Sequence, residues 1–175
     1  MEIVKAPSGV LRQKAKSVSK VTPDLLKIVA QMSKLASNFK DPEGVGLAAP
    51  QINLSQRFFI AKFGKTFTAF FNPKILSYAK EVKVNLEGCL SIPDYYGEVT
   101  RPKRITVNYT DIFGKPVTKN LTGTRAMIFQ HECDHLEGKL FIDYVLSQKG
   151  RLFKVVGKDQ IGADIFEEVN LSLKA

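Results

Sequence analysis

Both histidines of the chain fall in one pentapeptide, His131-Glu132-Cys133-Asp134-His135. On a helix, successive residues turn by about 100°, so His131 and His135 stand within roughly 40° of each other and both imidazoles can reach one metal ion. Glu132 projects beside them, where a carboxylate can take a proton from metal-activated water without occupying the metal. Coincidence is the alternative reading. It is disfavoured because no other histidine exists and the surrounding residues Met127, Ile128, Phe129 and Leu136 are those of a packed helix.

Two histidines leave a catalytic metal site one protein ligand short. Cys133, two residues beyond His131, points to nearly the opposite side of the helix and reads as a packing residue. Cys89, in Glu87-Gly88-Cys89-Leu90-Ser91, is the better third ligand: a thiolate binds Zn²⁺ or Fe²⁺ strongly, and Gly88 frees the backbone to bring the sulfur close. A third segment, Gly44-Val45-Gly46-Leu47-Ala48-Ala49-Pro50-Gln51, suggests a rigid loop lying against a ligand, with the Gln51 amide at its end. By itself it reads as a turn leading into a strand. It has neither the spacing of a dinucleotide fingerprint nor a P-loop lysine.

Taken in order, these segments resemble the peptide deformylase family, which carries a glycine loop ending in Gln, a Glu-Gly-Cys-Leu-Ser segment and Gln-His-Glu-x-x-His. Gly44–Gln51, Glu87–Ser91 and Gln130–His135 match all three, and the likeness continues through Gly138–Asp143. The resemblance implies an α+β fold and an enzyme that removes the formyl group from the N-terminal formyl-methionine of nascent polypeptides. It implies one divalent ion held by Cys89, His131 and His135, Fe²⁺ physiologically, with Zn²⁺, Ni²⁺ or Co²⁺ as replacements. Glu132 would act as base and then acid, and the Gln51 amide and the Leu90 N–H would stabilise the oxyanion. Val45, Met127 and Ile128 would receive the methionine side chain, and Gly46 and Gly88 would lie along the substrate. Glu87 and Arg101 would form an ion pair steadying the Cys89 segment.

Some positions depart from the family pattern. Where many bacterial relatives carry a substrate-contacting arginine beyond the cysteine motif, this chain reads Asp94-Tyr95-Tyr96-Gly97. The tail after Gly150 lacks the pattern of a long helix, and the first forty residues match loosely. Two rival readings are a zincin-type peptidase, drawing its third ligand from Asp143 or from Glu167-Glu168, and a structural zinc domain, which would need a fourth protein ligand.

The elements that must position these residues can be read from periodicity. Leu25, Ile28, Val29, Met32, Leu35 and Ala36 predict an amphipathic helix capped by Thr22, with Pro23 in its first turn, ending near Asn38; Asp41–Gly46 is too rich in turn formers to continue it. Phe58–Phe63 and Phe67–Pro73 predict a hairpin, and Ile105–Tyr109 and Val117–Leu121 two further strands. The metal-binding helix is expected from Arg125 to Glu137, with Thr124 as cap and Gly138 as stop. Leu152–Val156 and Ile165–Val169 read as short strands.

The length of 175 residues predicts one domain over 1–175, with antiparallel sheets packed around the central metal-binding helix. A composition 44% hydrophobic and 25% charged is that of a soluble globular protein. The formal charge of +9 is spread over short groups such as Lys14–Lys16, Arg101–Arg104 and Lys149–Lys154. No nucleic-acid motif accompanies it, which argues against DNA and leaves room for a weak contact with the ribosome. With no secretory signal and no membrane-length apolar run, the expectation is a cytoplasmic monomer with unpaired cysteines.

Overall fold

The first helix forms where the sequence places it. α1, Pro23–Ser37, opens on Thr22, whose hydroxyl oxygen accepts a hydrogen bond from the Leu25 N–H at 3.2 Å, and Pro23 takes a first-turn position that needs no N–H. Leu25, Met32 and Ala36 form its buried face. The computed structural model of the protein describes residues 1–40 and 43–170. Of the turn expected over Asp41–Gly46, Asp41 and Pro42 lie outside the described residues.

Nine strands form two antiparallel sheets among the described residues. The larger has the order β1-β2-β3-β6-β7, from Gly46–Ala48, Phe58–Lys62, Phe67–Tyr78, Arg104–Thr110 and Pro116–Thr122. Its β2–β3 hairpin sets Phe58 opposite Phe71 and Lys62 opposite Phe67, the pairing expected from the two aromatic runs. The smaller sheet has the order β4-β5-β8-β9, from Val82–Cys89, Ile92–Pro102, Leu152–Lys158 and Asp164–Val169. Both predicted tail strands are present in it.

The central helix α2, Gly123–Leu136, starts two residues earlier than expected and is preceded by Thr122, not Thr124, with no side-chain cap bond. Its start is set by tertiary structure. β7 runs to Thr122, the Gly123 N–H still bonds the Lys103 carbonyl, and Gly123 at φ +57° makes the turn from strand into helix, a backbone angle that glycine adopts freely. Ala126, Phe129, Cys133 and Leu136 pack against the larger sheet, where the Phe129 ring meets Phe59 and Phe70 edge-on at 5.0 and 5.3 Å. His131, Glu132 and His135 project from the other side of the helix. A third helix, α3 at Phe141–Gln148, covers the smaller sheet through Phe141 and Val145 and was not anticipated from the sequence.

Candidate active site

Cys89 is the last residue of β4, and a tight turn at Leu90–Ser91 leads into β5, with Cys89 facing Ile92. The N-terminal segment fastens this turn: the Lys5 ammonium donates to the Leu90 carbonyl at 2.6 Å and the Ala6 N–H to the Ser91 carbonyl at 2.8 Å. From the facing side α2 delivers its two imidazoles, whose ring centroids are 5.1 Å apart. Cys89 Sγ lies 3.3 Å from His135 Nε2, and one ligand atom from each of Cys89, His131 and His135 falls within 4.8 Å of the other two. One sulfur and two ring nitrogens at that spacing suit a single divalent first-row ion, so these residues could hold a metal.

Electrostatics agree with that use. Burial alone would raise the Cys89 thiol, but the His135 charge and hydrogen bonds from His131 and His135 outweigh it and hold the thiol well below its ordinary range, favouring thiolate. His131 Nδ1 sits 2.9 Å from Glu87 Oε2, which keeps the Nδ1–H toward the carboxylate and turns Nε2 to the sulfur. Glu87 is itself gripped by Arg101, Nε to Oε1 at 2.5 Å and Nη2 to Oε2 at 2.9 Å. Burial raises the Glu87 carboxyl, yet the Arg101 bonds and then His131 outweigh it and bring it down to about 2.

The ion pair expected between Glu87 and Arg101 is thus present, but its reach is longer than expected. Arg101 Nη1 donates to Asp134 Oδ2 at 2.8 Å, and Tyr144 Oη to Asp134 Oδ1 at 2.9 Å, joining β4, β5, α2 and α3 behind the histidines. Arg101 is 4% exposed and does not belong to the surface charge in which sequence grouped it. Asp134 and Tyr144 were missed as members of this network because nothing in their spacing points to a shared partner.

Glu132 is buried beside the pair of imidazoles, and its Oε2 has no hydrogen-bond partner among the described residues. Burial pushes its carboxyl up to about 7, against the opposing charges of His131 and His135. Gly46 explains how the carboxylate fits: a Cβ there would lie 2.2 Å from Glu132 Oε1. In the Gly44–Gln51 segment Gly44 and Val45 lead into strand β1, as a turn before a strand would, and β1 then runs into a short 3-10 helix at Ala49–Ile52. That turn fixes the Gln51 amide, whose Oε1 accepts from the Ala48 N–H at 2.8 Å while Nε2 points at Ser91 Oγ, 3.1 Å away, and Cys89 Sγ, 3.5 Å away.

One cavity is lined by Val45, Gly46, Gln51, Gly88, Cys89, Leu90, Met127, Ile128, His131 and Glu132, together with Glu43, Leu86 and Glu87. Every residue singled out from sequence for substrate or chemistry is here, and His135 lies just behind at 1% exposure. Gly88 lines this cleft and also makes room behind it. A Cβ on it would come within 2.7 Å of the Tyr96 ring, so its lack of a side chain makes room for that ring across the β4–β5 pair. Leu86 was not singled out, although the alternation Val82, Val84, Leu86 marks it as one face of a strand.

Neither rival ligand set assembles. Asp143 accepts from Arg12 at 2.5 Å and from the Leu140 N–H at 2.8 Å, while Glu167 and Glu168 are exposed on β9. Among the described residues the group able to hold a metal is Cys89, His131 and His135. Cys133 is buried against the larger sheet, as its position on the helix requires.

An α+β fold that gathers a thiolate, two imidazoles and a buried glutamate at one cleft defines a metal-dependent hydrolase. Residues 1–151 match the model of the polypeptide deformylase family, and the chain belongs to that family. It is 43% identical over 145 residues to the peptide deformylase of Thermotoga sp. (strain RQ2), covering 83% of this chain and 87% of that protein. The Agrobacterium fabrum peptide deformylase is 42% identical over 144 residues, covering 79% of this chain and 83% of that one. Among solved structures, the crystal structure of the Thermotoga maritima peptide deformylase superposes with a TM-score of 0.77 at 43% identity, over 82% of this chain and 95% of that chain. A plant peptide deformylase does so with a TM-score of 0.78 at 35% identity, over 85% and 82%.

Proposed function

We propose that the protein hydrolyses the N-terminal formyl amide of formyl-methionyl nascent polypeptides, releasing formate and a free methionine amine. The observation that carries this reading is the convergence of Cys89, His131 and His135 in one cleft beside a buried Glu132 whose Oε2 has no hydrogen-bond partner among the described residues. Bound to those three residues, a divalent ion, Fe²⁺ in the expected physiological state and Zn²⁺, Ni²⁺ or Co²⁺ in its place, would supply a Lewis acid that activates water and polarises the formyl oxygen.

This chain's own residues would do the rest. Glu132 Oε2 takes the proton of the attacking water and delivers it to the methionine nitrogen as the carbon–nitrogen bond breaks. The Gln51 Nε2–H and the Leu90 N–H donate to the oxyanion, and the Ala48 bond to Oε1 holds the amide in the donating orientation beforehand. Val45, Met127 and Ile128 offer an apolar surface for the methionine side chain. Gly46 and Gly88 flank the substrate backbone without obstructing Glu132 or Tyr96. Glu87 orients His131 and, through Arg101, ties the cysteine strand to the histidine helix.

The expected setting is the cytoplasm, with the protein a monomer in weak contact with the ribosome; no helix of the described residues is long and apolar enough to cross a membrane. The reading is tested by anaerobic reconstitution with Fe²⁺ and incubation with formyl-Met-Ala-Ser, following formate. Release of formate at tens of turnovers per second or slower, but far above the metal-free protein, is expected. An acetylated control, which tests the small pocket expected around the carbonyl, should be inert. Failure to release formate from the formyl peptide would overturn the proposal.

A further inference from the structure

The family match ends at residue 151, and the β8–β9 hairpin begins at Leu152. The hairpin is joined to β5 through Tyr95–Gly97 opposite Leu152–Lys154, so it widens the same small sheet whose first strand ends in Cys89. Residues paired across antiparallel strands share a face. Gly88 faces Tyr96, Tyr96 faces Phe153, and Val155 faces Phe166, which sets these side chains on one side of the sheet, while Gly97 lies against Val145 of α3 on the other.

An apolar strip on that outer side runs on from the catalytic cleft. Leu86 and Gly88 line the cleft, and Leu86 is 52% exposed. The Tyr96 ring lies over Gly88, and the Phe166 ring, 42% exposed, meets Tyr96 edge-on at 5.3 Å. Three charges share this side: Glu98 and Arg151 are engaged with each other at 2.6 Å, and Glu168 stands opposite Phe153. From this continuity we infer that the C-terminal hairpin is a wall of the substrate groove: Tyr96 and Phe166 select nascent chains with an apolar residue shortly after the formyl-methionine. The inference rests on the proposed deformylase activity.

The reach is suitable. Adjacent strands are ~4.8 Å apart and an extended peptide advances ~3.4 Å per residue, so Phe166, one ring beyond Tyr96, falls about three residues downstream of the formyl-methionine. Aromatic edges and a leucine side chain recognise an apolar group by burial.

The Fe²⁺-loaded protein should be compared on formyl-Met-Ala, formyl-Met-Ala-Phe-Leu and formyl-Met-Ala-Ser-Ser. Turnover of formyl-Met-Ala establishes the activity on its own, so its failure sinks the proposed function and not the selection. For the wild type, kcat/KM about tenfold higher on the apolar than on the polar tetrapeptide is expected, carried by KM. Phe166→Ala should bring that ratio to within about twofold, while Ile161→Ser at the exposed hairpin tip should leave it unchanged. Equal handling of the two tetrapeptides by the wild type overturns the inference, as does a preference that survives Phe166→Ala. Should Phe166→Ala fail to fold, a wild-type photocrosslink from benzoylphenylalanine at the third or fourth peptide position decides the matter. Attachment to Tyr96 or to residues 152–169 supports the wall, and attachment confined elsewhere refutes it. A concentration-dependent dimer abolished by Phe166→Ala, with the peptide preference intact, would assign the face to a second copy and overturn the inference.

Discussion

Gln51 shows how a single side chain is prepared for its task before substrate arrives. An amide can flip, exchanging donor for acceptor, but the Ala48 N–H can donate only to Oε1, which leaves Nε2 aimed at Cys89 and Ser91. Gln51→Leu keeps the volume and removes the donor. Loss of one preorganised oxyanion donor costs about 3 kcal/mol of barrier, so kcat should fall by about 100- to 1,000-fold with KM changed little. Steady-state kinetics on formyl-Met-Ala-Ser check this, and an unchanged kcat would remove Gln51 from the oxyanion site. At this scale the sequence was highly legible, because the chemistry of H-E-x-x-H and of a lone Cys after Gly depends on residue type. Asp134 and Tyr144 were not legible as partners of Arg101, since their carboxylate and hydroxyl resemble any surface groups until the helices place them.

Among the elements, α2 is unusual in being buried on two sides. One side presents Phe129, Cys133 and Leu136 to the larger sheet, the other His131, Glu132 and His135 to the cleft, and this leaves the helix without a plain amphipathic stripe. Phe129 sets the depth at which the helix sits. Phe129→Ala would empty a site of complete burial and aromatic edge contacts, and should cost about 3–5 kcal/mol in denaturant unfolding. A loss below about 1 kcal/mol would mean that the helix is seated by other contacts. β4 poses the converse problem for sequence reading. Its alternation is regular, but Val82, Val84 and Leu86 face outward while Glu87 and Cys89 face in, so the usual rule of apolar residues inside points the wrong way. The inward side is polar because it carries the ion pair and the thiolate.

For the whole molecule, the site joins parts that local structure leaves separate: Cys89 from the smaller sheet, the histidines from α2, and Gln51 from the turn after β1. An ion bound across them should stabilise the native state by mass action, about 2.7 kcal/mol at a free concentration one hundred times Kd. Melting of the wild type should therefore rise with added Fe²⁺ or Zn²⁺ and fall on chelation. Cys89→Ser, which exchanges a thiolate for a neutral hydroxyl, should lose both the bound metal and the rise. Metal analysis after gel filtration, read with the melting curve, tests this, and a variant that still binds one ion stoichiometrically would place the third ligand elsewhere.

By itself the sequence determined the ligand types, the helical pairing of His131 with His135, the aromatic hairpin and the strands of the tail, because each follows from side-chain chemistry or from a period of 3.6 or 2 along the backbone. Tertiary structure alone decided that Cys89 meets those histidines, that Arg101 is buried, that α2 begins at Gly123, and that the tail extends the smaller sheet. Those outcomes depend on which strand neighbours which, a choice made by long-range burial and hydrogen bonding across the chain and not by any residue's near neighbours.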